Sequence, residues 1–327
     1  MINLPLLLYV PGLLPKPEPG LHRDALFRCL IAGLRRYDEK IALDIAANLH
    51  CFDIVSWTYN FYKTHRDIAI DQEAIEAVIE QPGASPEDIA EAMSWRRRVA
   101  RWAFSLADFI PFLIPHVANE RMELHLRDLR RYTRNQDEIA EHTRQMLKMR
   151  LRAAVEARRP ILLIGHSMGS VISWDSLWQM SRNARDQIDV DLLLTMGSPL
   201  GQRFIQRRLL GHDQAGDSRY LQGIRRWINL SAIGDLTALD PDLADDFEEM
   251  IKRGLVESIE DHFLHNYFRL DGVLNPHAEY GYLANEVTAK IVAEWWQACR
   301  SQAGDHTSEI KRSTASSRQA GSKHEDE

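Results

Sequence analysis

Cysteine is scarce: Cys29, Cys51 and Cys299 are scattered, and none belongs to a CxxC pair. This argues against a disulfide framework and a zinc site of the usual spacing. It fits a reducing, cytoplasmic setting in which each thiol fills space as a small apolar group. Long apolar runs are also missing. None reaches the ~18 residues that a membrane-spanning helix requires, and the mean hydropathy is −0.34. The apolar start, Met1 to Val10, has no Lys or Arg and runs into Pro11–Gly12, so it does not read as a signal peptide. There is no basic excess: Lys+Arg is 40, Asp+Glu is 47 and the net charge is −7. Such a balance argues against nucleic acid as a partner. There is no internal repeat. Hydrophobic types at 45 % and charged types at 27 % exclude collagen-like and wholly disordered chains. The 327 residues suit one large α/β domain or two small ones.

What is present is an alternation of strand and helix patterns. Leu4–Val10 is a continuous apolar run, too short for most helices, and reads as a buried parallel strand. Leu26, Leu30 and Leu34 recur at helical spacing within a helix over 21–37. Phe52–Tyr59, Ile161–Ile164, Asp189–Met196 and Trp227–Leu230 read as further strands. The pattern predicts an α/β fold: a parallel sheet with helices on both faces.

About a hundred residues separate the second and third strands, with almost no strand signal. Ser85 is placed to cap a helix that opens at Pro86. Trp95, Val99, Trp102, Leu106 and Phe109 continue at helical spacing, and Pro111 and Pro115 end that pattern. Met122, Leu126 and Leu129 mark another helix, and Leu147, Leu151 and Val155 a third. A crossover needs one helix, so an inserted helical cap is expected at about 63–143 within a domain of residues 1–300. Residues 121–159 hold 11 Lys/Arg against 6 Asp/Glu. Residues 301–327 lack large apolar side chains and read as a disordered tail.

The strongest chemical signal is Gly165-His166-Ser167-Met168-Gly169, set between a buried strand and a helical pattern. A sharp strand-to-helix turn lifts a serine into a strained backbone position, and small residues on either side avoid collision. The following helix N-terminus favours developing negative charge. A serine hydroxyl needs a base, usually a histidine oriented by a buried carboxylate, and in this arrangement the chain order is Ser, acid, His. Asp235 follows a strand and a Gly234 turn and is the preferred acid, with Asp240 and Asp242 as alternatives. Residues 235–261 hold ten acids against two bases, and most of these must be solvated. His277, at a loop-to-helix junction, is the preferred base. His262 and His265, in a mixed apolar and acidic stretch, are alternatives, and His166 is expected to point away from the site. Two backbone donors must stabilise an oxyanion: Met168 supplies one, and Gly12 or Leu13 the other, because Pro11 has no N–H.

With these motifs the chain resembles the α/β-hydrolase superfamily, in a lipase- and esterase-like branch near the lecithin–cholesterol acyltransferase and GPI-inositol-deacylase groups. Residues 165–169 are similar to the lipase form of the nucleophile turn. Thr195-Met196-Gly197-Ser198-Pro199-Leu200 resembles the strand-end motif that follows it. Trp227-x-Asn229 with Asp235, and His277-x-x-Tyr280, resemble the acid and base segments. The likeness spans roughly residues 1–60 and 144–300. The early loop departs from it, with Val10-Pro11-Gly12 where many relatives have His-Gly. The resemblance implies ester hydrolysis or acyl transfer, with no metal or cofactor.

The stretch from Trp95 to Pro115 could roof an acyl pocket or touch lipid, against the plainer reading of core packing. Arg127, Arg130, Arg131 and Arg134 could attract an anionic head group, against the plainer reading of a solvated face. Trp174 and Trp178 read as core. The leading expectation is a serine esterase acting on a small-molecule or lipid ester. Acyl transfer at the same site, and a catalytically silent binding module, are the alternatives.

Overall fold

Leu6–Val10 is apolar at every position because both faces of that strand are covered. In the computed structural model it is β1, the second strand of a six-stranded sheet. The others are β2 (Phe52–Ile54), β3 (Ile161–His166), β4 (Val190–Met196), β5 (Ile224–Ala232) and β6 (Ser258–Leu264). They lie in the order β2-β1-β3-β4-β5-β6, and each neighbouring pair is parallel. The structure describes residues 4–95, 97, 120–186, 188–238, 240 and 242–301.

Alternate residues of each strand serve two separate cores. Leu7, Tyr9, Leu162 and Ile164 face one side, packed against the helices Pro19–Tyr37, Ala69–Glu80 and 286–301. Leu6, Leu8, Ile161 and Leu163 face the other, packed against the helices Ile139–Glu156 and Met168–Ser181. The result is an α/β fold, a parallel sheet with helices around it. Because every strand runs the same way, the loops that leave the carboxyl ends of β1, β3 and β5 open along one edge. Register aligns those ends: Val10 pairs with Gly165, Gly165 with Thr195, and Thr195 with Asn229.

The expected strand over 52–59 is shorter, and ends at Ile54. Its later aromatics do other work: Trp57 Nε1 donates to the Pro11 carbonyl at 2.9 Å, and Thr58–Tyr62 is a helix. The sheet also gains a strand, β6, that the pattern of residues did not suggest. Ser85 caps Pro86–Ala92 in a reciprocal capping box with Asp88. Within the segment expected to be a cap, Ala74, Ile75 and Val78 pack into the same core as the helix Pro19–Tyr37. The expected helix from Val99 to Phe109, the stretch to Pro115 and the tail from 302 lie outside the described residues. All three cysteines are buried, and burial pushes the Cys51 and Cys299 thiols up to about 12. Among the described residues no helix is long and apolar enough to cross a membrane.

Candidate active site

Ser167 sits between the end of β3 and the helix Met168–Ser181, with φ of 53° and ψ of −123°. A positive φ is strained for any residue with a Cβ, and tight packing holds it there. Ser167 N–H donates to the Met196 carbonyl at 2.8 Å. Ser170 Oγ donates to the Ser167 carbonyl at 2.6 Å. The small neighbours are obligatory. A Cβ on Gly165 would lie 2.8 Å from Ser170 Cα, and one on Gly169 would overlap the Val10 carbonyl. On an isolated helix Gly→Ala stabilises by about 1 kcal/mol. Here the sign reverses: Gly169→Ala is expected to destabilise the protein by about 3 kcal/mol, because a backbone carbonyl cannot yield. Urea unfolding measures it, and a stabilised variant would contradict the close approach.

Asp235 follows β5 after the turn at Gly234, whose φ is 87°. A glycine is needed there: a Cβ would lie 2.7 Å from the Ala92 carbonyl oxygen. His277 sits on the loop between a short hairpin, β7 (Arg269–Leu270) and β8 (Val273–Leu274), and the helix Glu279–Ala284. The three side chains meet. His277 Nδ1 is 2.8 Å from Asp235 Oδ2, and His277 Nε2 is 2.9 Å from Ser167 Oγ. The Asp235 carboxylate only accepts, so Nδ1 carries the proton and Nε2 accepts from the Ser167 hydroxyl. Tyr282 OH donates to Asp235 Oδ2 at 2.9 Å, and Thr237 N–H to Oδ1 at 2.8 Å. Burial by itself would raise the Asp235 carboxyl. The His277 charge and the hydrogen bonds from His277, Thr237 and Tyr282 outweigh it, and the carboxyl is held below its usual range.

No family model, curated protein or solved structure matches the chain.

The alternatives weighed from sequence lie elsewhere. Asp240 Oδ1 accepts from Asp242 N–H at 3.3 Å, and neither residue bonds His277. His262 is half-exposed on β6, 3.5 Å from Glu260. His265 lends its carbonyl to Asn285 Nδ2. Gly12 lies against the site, since a Cβ on it would come within 2.8 Å of Ser167 Cβ. The N–H groups of Gly12, Leu13 and Met168 donate to no other group among the described residues. Met168 adjoins Ser167 in the chain and Gly12 packs against it, so both are open to an anion there. Trp174 is buried in the core, and Trp178 is half-buried with its indole donating to the Ser218 carbonyl at 2.9 Å. No group of three His, Cys, Asp or Glu side chains among the described residues is placed to hold a metal ion.

Four residues that sequence reasoning missed hold the site. His166, expected to point away, donates from Nε2 to the His277 carbonyl at 2.9 Å. Asn266 donates to the carbonyls on either side, Pro276 at 2.9 Å and Ala278 at 2.8 Å. Three successive carbonyls of the histidine loop are therefore tied down. Tyr282 orients Asp235, whereas the Tyr280 hydroxyl of the His277-x-x-Tyr280 motif is buried with no hydrogen-bond partner among the described residues. Glu279 is buried and accepts from Lys16 Nζ at 2.8 Å and Tyr9 OH at 3.1 Å, with His22 Nε2 at 3.0 Å. Lys16 belongs to the loop after β1, so Glu279 clamps that loop to the histidine loop. A carboxylate in the first turn of a short helix reads as a dipole partner, and nothing local to it signals burial.

The motif residues near the site also find partners. Thr195 Oγ1 donates to Asn229 Oδ1 at 2.9 Å and accepts from Trp227 Nε1 at 3.0 Å. Asn229 Nδ2 donates to Asp261 Oδ1 at 2.9 Å. A polar chain thus crosses β4, β5 and β6, buried at Thr195 and Asn229 and partly buried at Asp261. Gly197, with φ of 55°, leaves room for the Asp235–His277 contact, since a Cβ there would lie 2.9 Å from Asp235 Oδ2.

Proposed function

We propose that the protein is a serine hydrolase of the α/β-hydrolase superfamily, acting on a carboxylic ester through an acyl-enzyme. The observation that carries this reading is the continuous hydrogen-bonded line from Ser167 Oγ through His277 to the buried Asp235. Ser167 Oγ attacks the acyl carbon and its proton passes to His277 Nε2. Asp235 stabilises the imidazolium that results. The carbonyl oxygen becomes an oxyanion, with the free N–H of Met168 on one side and that of Gly12 or Leu13 on the other. Collapse expels the alcohol, which takes the proton from Nε2. Water then repeats the sequence on the acyl-enzyme, and Ser167 is regenerated.

A fluorophosphonate probe tests the reading, because its phosphorus is attacked only by an activated nucleophile. The expected result is a single adduct, mapped by peptide mass spectrometry to the peptide that contains Ser167. No adduct, or an adduct on another serine, would overturn it.

A further inference from the structure

In the loop after β1 the N–H groups of Gly12 and Leu13 donate to no group among the described residues. The residues on either side of them are held, and by one short element, the helix Thr58–Tyr62 with Trp57 at its start. Trp57 Nε1 donates to the Pro11 carbonyl at 2.9 Å. Tyr62 OH accepts from Leu14 N–H at 3.0 Å. Trp57 is fully buried and its indole meets the Phe61 ring edge to face at 5.6 Å, so it has little freedom to turn. The Tyr62 hydroxyl is fixed from its far side. It donates at 2.8 Å to Asp128 Oδ2, a buried carboxylate on the helix Glu120–Thr133. A carboxylate only accepts, so the Tyr62 hydrogen is committed to Asp128 and a lone pair is left for Leu14 N–H. Arg131 of the same helix donates to the Phe61 carbonyl at 2.8 Å and seats the two helices on one another.

These two bonds act on peptide planes. A trans peptide sets its C=O and N–H on opposite sides, and no peptide among the described residues is cis. The Pro11 carbonyl and the Gly12 N–H belong to one peptide. Anchoring the Pro11 oxygen on Trp57 therefore fixes where the Gly12 N–H points. Turning that plane would break a buried hydrogen bond, which is costly because no water replaces it. The second bond holds a strained residue. Leu14 has a φ of 75°, in the left-handed region that a side chain disfavours. Such a conformation persists only where the surroundings hold it, and the Tyr62 hydroxyl is one of the holds. Between the two anchored planes lies Gly12, which packs against Ser167.

We propose that Trp57 and Tyr62 are positioning residues for the oxyanion hole, with Gly12 N–H as its second donor and Asp128 as the lock on Tyr62. The roles rest on the hydrolase reading above. Trp57 aims the Gly12 N–H through the Pro11–Gly12 peptide, and Tyr62 stops the loop from relaxing at Leu14. Preorganised donors matter most where charge develops, so the two side chains act on the transition state more than on the bound ester. The helix Glu120–Thr133 thereby reaches the reacting centre without touching substrate, through Asp128, Tyr62 and Leu14.

The test compares wild type with Tyr62→Phe and Trp57→Phe in full-length protein. Each is assayed on a chromogenic short-chain ester and for inhibition by a short-chain alkyl trifluoromethyl ketone. Ser167 Oγ adds to the ketone carbon, its proton passes to His277, and the ketone oxygen becomes an oxyanion, so inhibition reports the hole directly. Each variant is expected to lose roughly tenfold in kcat, with KM within about twofold of wild type, and to bind the ketone roughly tenfold more weakly. Tyr62→Phe also leaves the buried Asp128 without its donor, and this separates stability from rate. Adding Asp128→Asn is expected to restore part of the urea midpoint and none of the lost kcat. If Trp57→Phe fails to fold, Tyr62→Phe and its double variant decide the matter. Unchanged kcat and ketone inhibition in Tyr62→Phe, a rise in KM alone, or recovery of kcat together with stability overturns the positioning roles and leaves the hydrolase reading standing. Wild type with neither ester turnover nor a fluorophosphonate adduct at Ser167 overturns both.

Discussion

Ester turnover by Ser167→Ala protein is expected to fall by about 10⁴-fold or more, with the fold retained. In the proposed mechanism the hydroxyl oxygen forms the covalent bond, and the variant has no group to replace it. His277→Ala is expected to cost about as much, since Ser167 Oγ then has no acceptor for its proton. The double variant is expected to be no worse than either single one, because the two side chains act as a unit. A chromogenic short-chain ester supplies the rates, and circular dichroism checks the fold. On the proposed mechanism any residual rate is expected to come from the N–H groups of Met168 and the Gly12–Leu13 loop. A Ser167→Ala rate within tenfold of wild type would exclude the acyl-enzyme. Additive losses in the double variant would exclude proton transfer between the two residues.

Removal of the Glu279 carboxylate is expected to be among the most destabilising single changes in the chain. The side chain is buried, and three partners from three different segments converge on it: Tyr9, Lys16 and His22. Breaking a buried ion pair from one side costs about 3–5 kcal/mol, because the other charge stays behind without a partner. Glu279→Gln, measured by urea unfolding at neutral pH, is expected to lose about 3 kcal/mol on that ground. The loss should also depend on pH. Burial would raise the Glu279 carboxyl, but the charges of Lys16 and His22 and the His22 hydrogen bond hold it well below its ordinary value. A carboxylate held low in the folded state stabilises above its unfolded pKa of about 4.3 and loses that effect as pH falls through the folded value. The gap between wild type and Glu279→Gln should therefore narrow below about pH 4.

His166 adds a second acid dependence at the same place. Burial, and then the charge of His277, push it down to about 3. The unfolded chain takes up that proton near pH 6.5 and the folded chain does not, so wild-type stability should already fall as pH drops below about 6.5. A loss of under 1 kcal/mol for Glu279→Gln at neutral pH, or a gap that stays constant into acid, would mean that the clamp between the two loops is not carried by charge.

Some of this was legible along the chain. A strand, a Gly-x-Ser-x-Gly turn and a helix are local, and their physics is local: the collisions that forbid a Cβ at Gly165 come from residues a few positions away. Continuous apolar runs announced β1 and β3 for the same reason, since a strand covered on both faces has no polar position to spare. Ser167, Asp235 and His277 could be picked out by chain order and turn chemistry. The edges of the sheet were less legible. β2 stops after three residues because its neighbouring aromatics pack elsewhere. β6 hid because Glu260, Asp261 and the half-exposed Phe263 break the expected pattern at an edge strand.

Tertiary structure alone decided the rest. Ser167 and His277 are 110 positions apart, and Asp235 and His277 are 42 apart. Only the parallel order of the strands brings their loops to one edge, and no local pattern encodes that neighbourhood. The same holds for His166, Asn266, Tyr282 and Glu279. Each has an ordinary local environment in sequence, and each acquires its partners only when loops distant along the chain are packed together and water is excluded. Hydrophobic periodicity records which face of an element is buried. Which polar groups then share that buried space depends on which elements become neighbours, and that is settled by the fold as a whole.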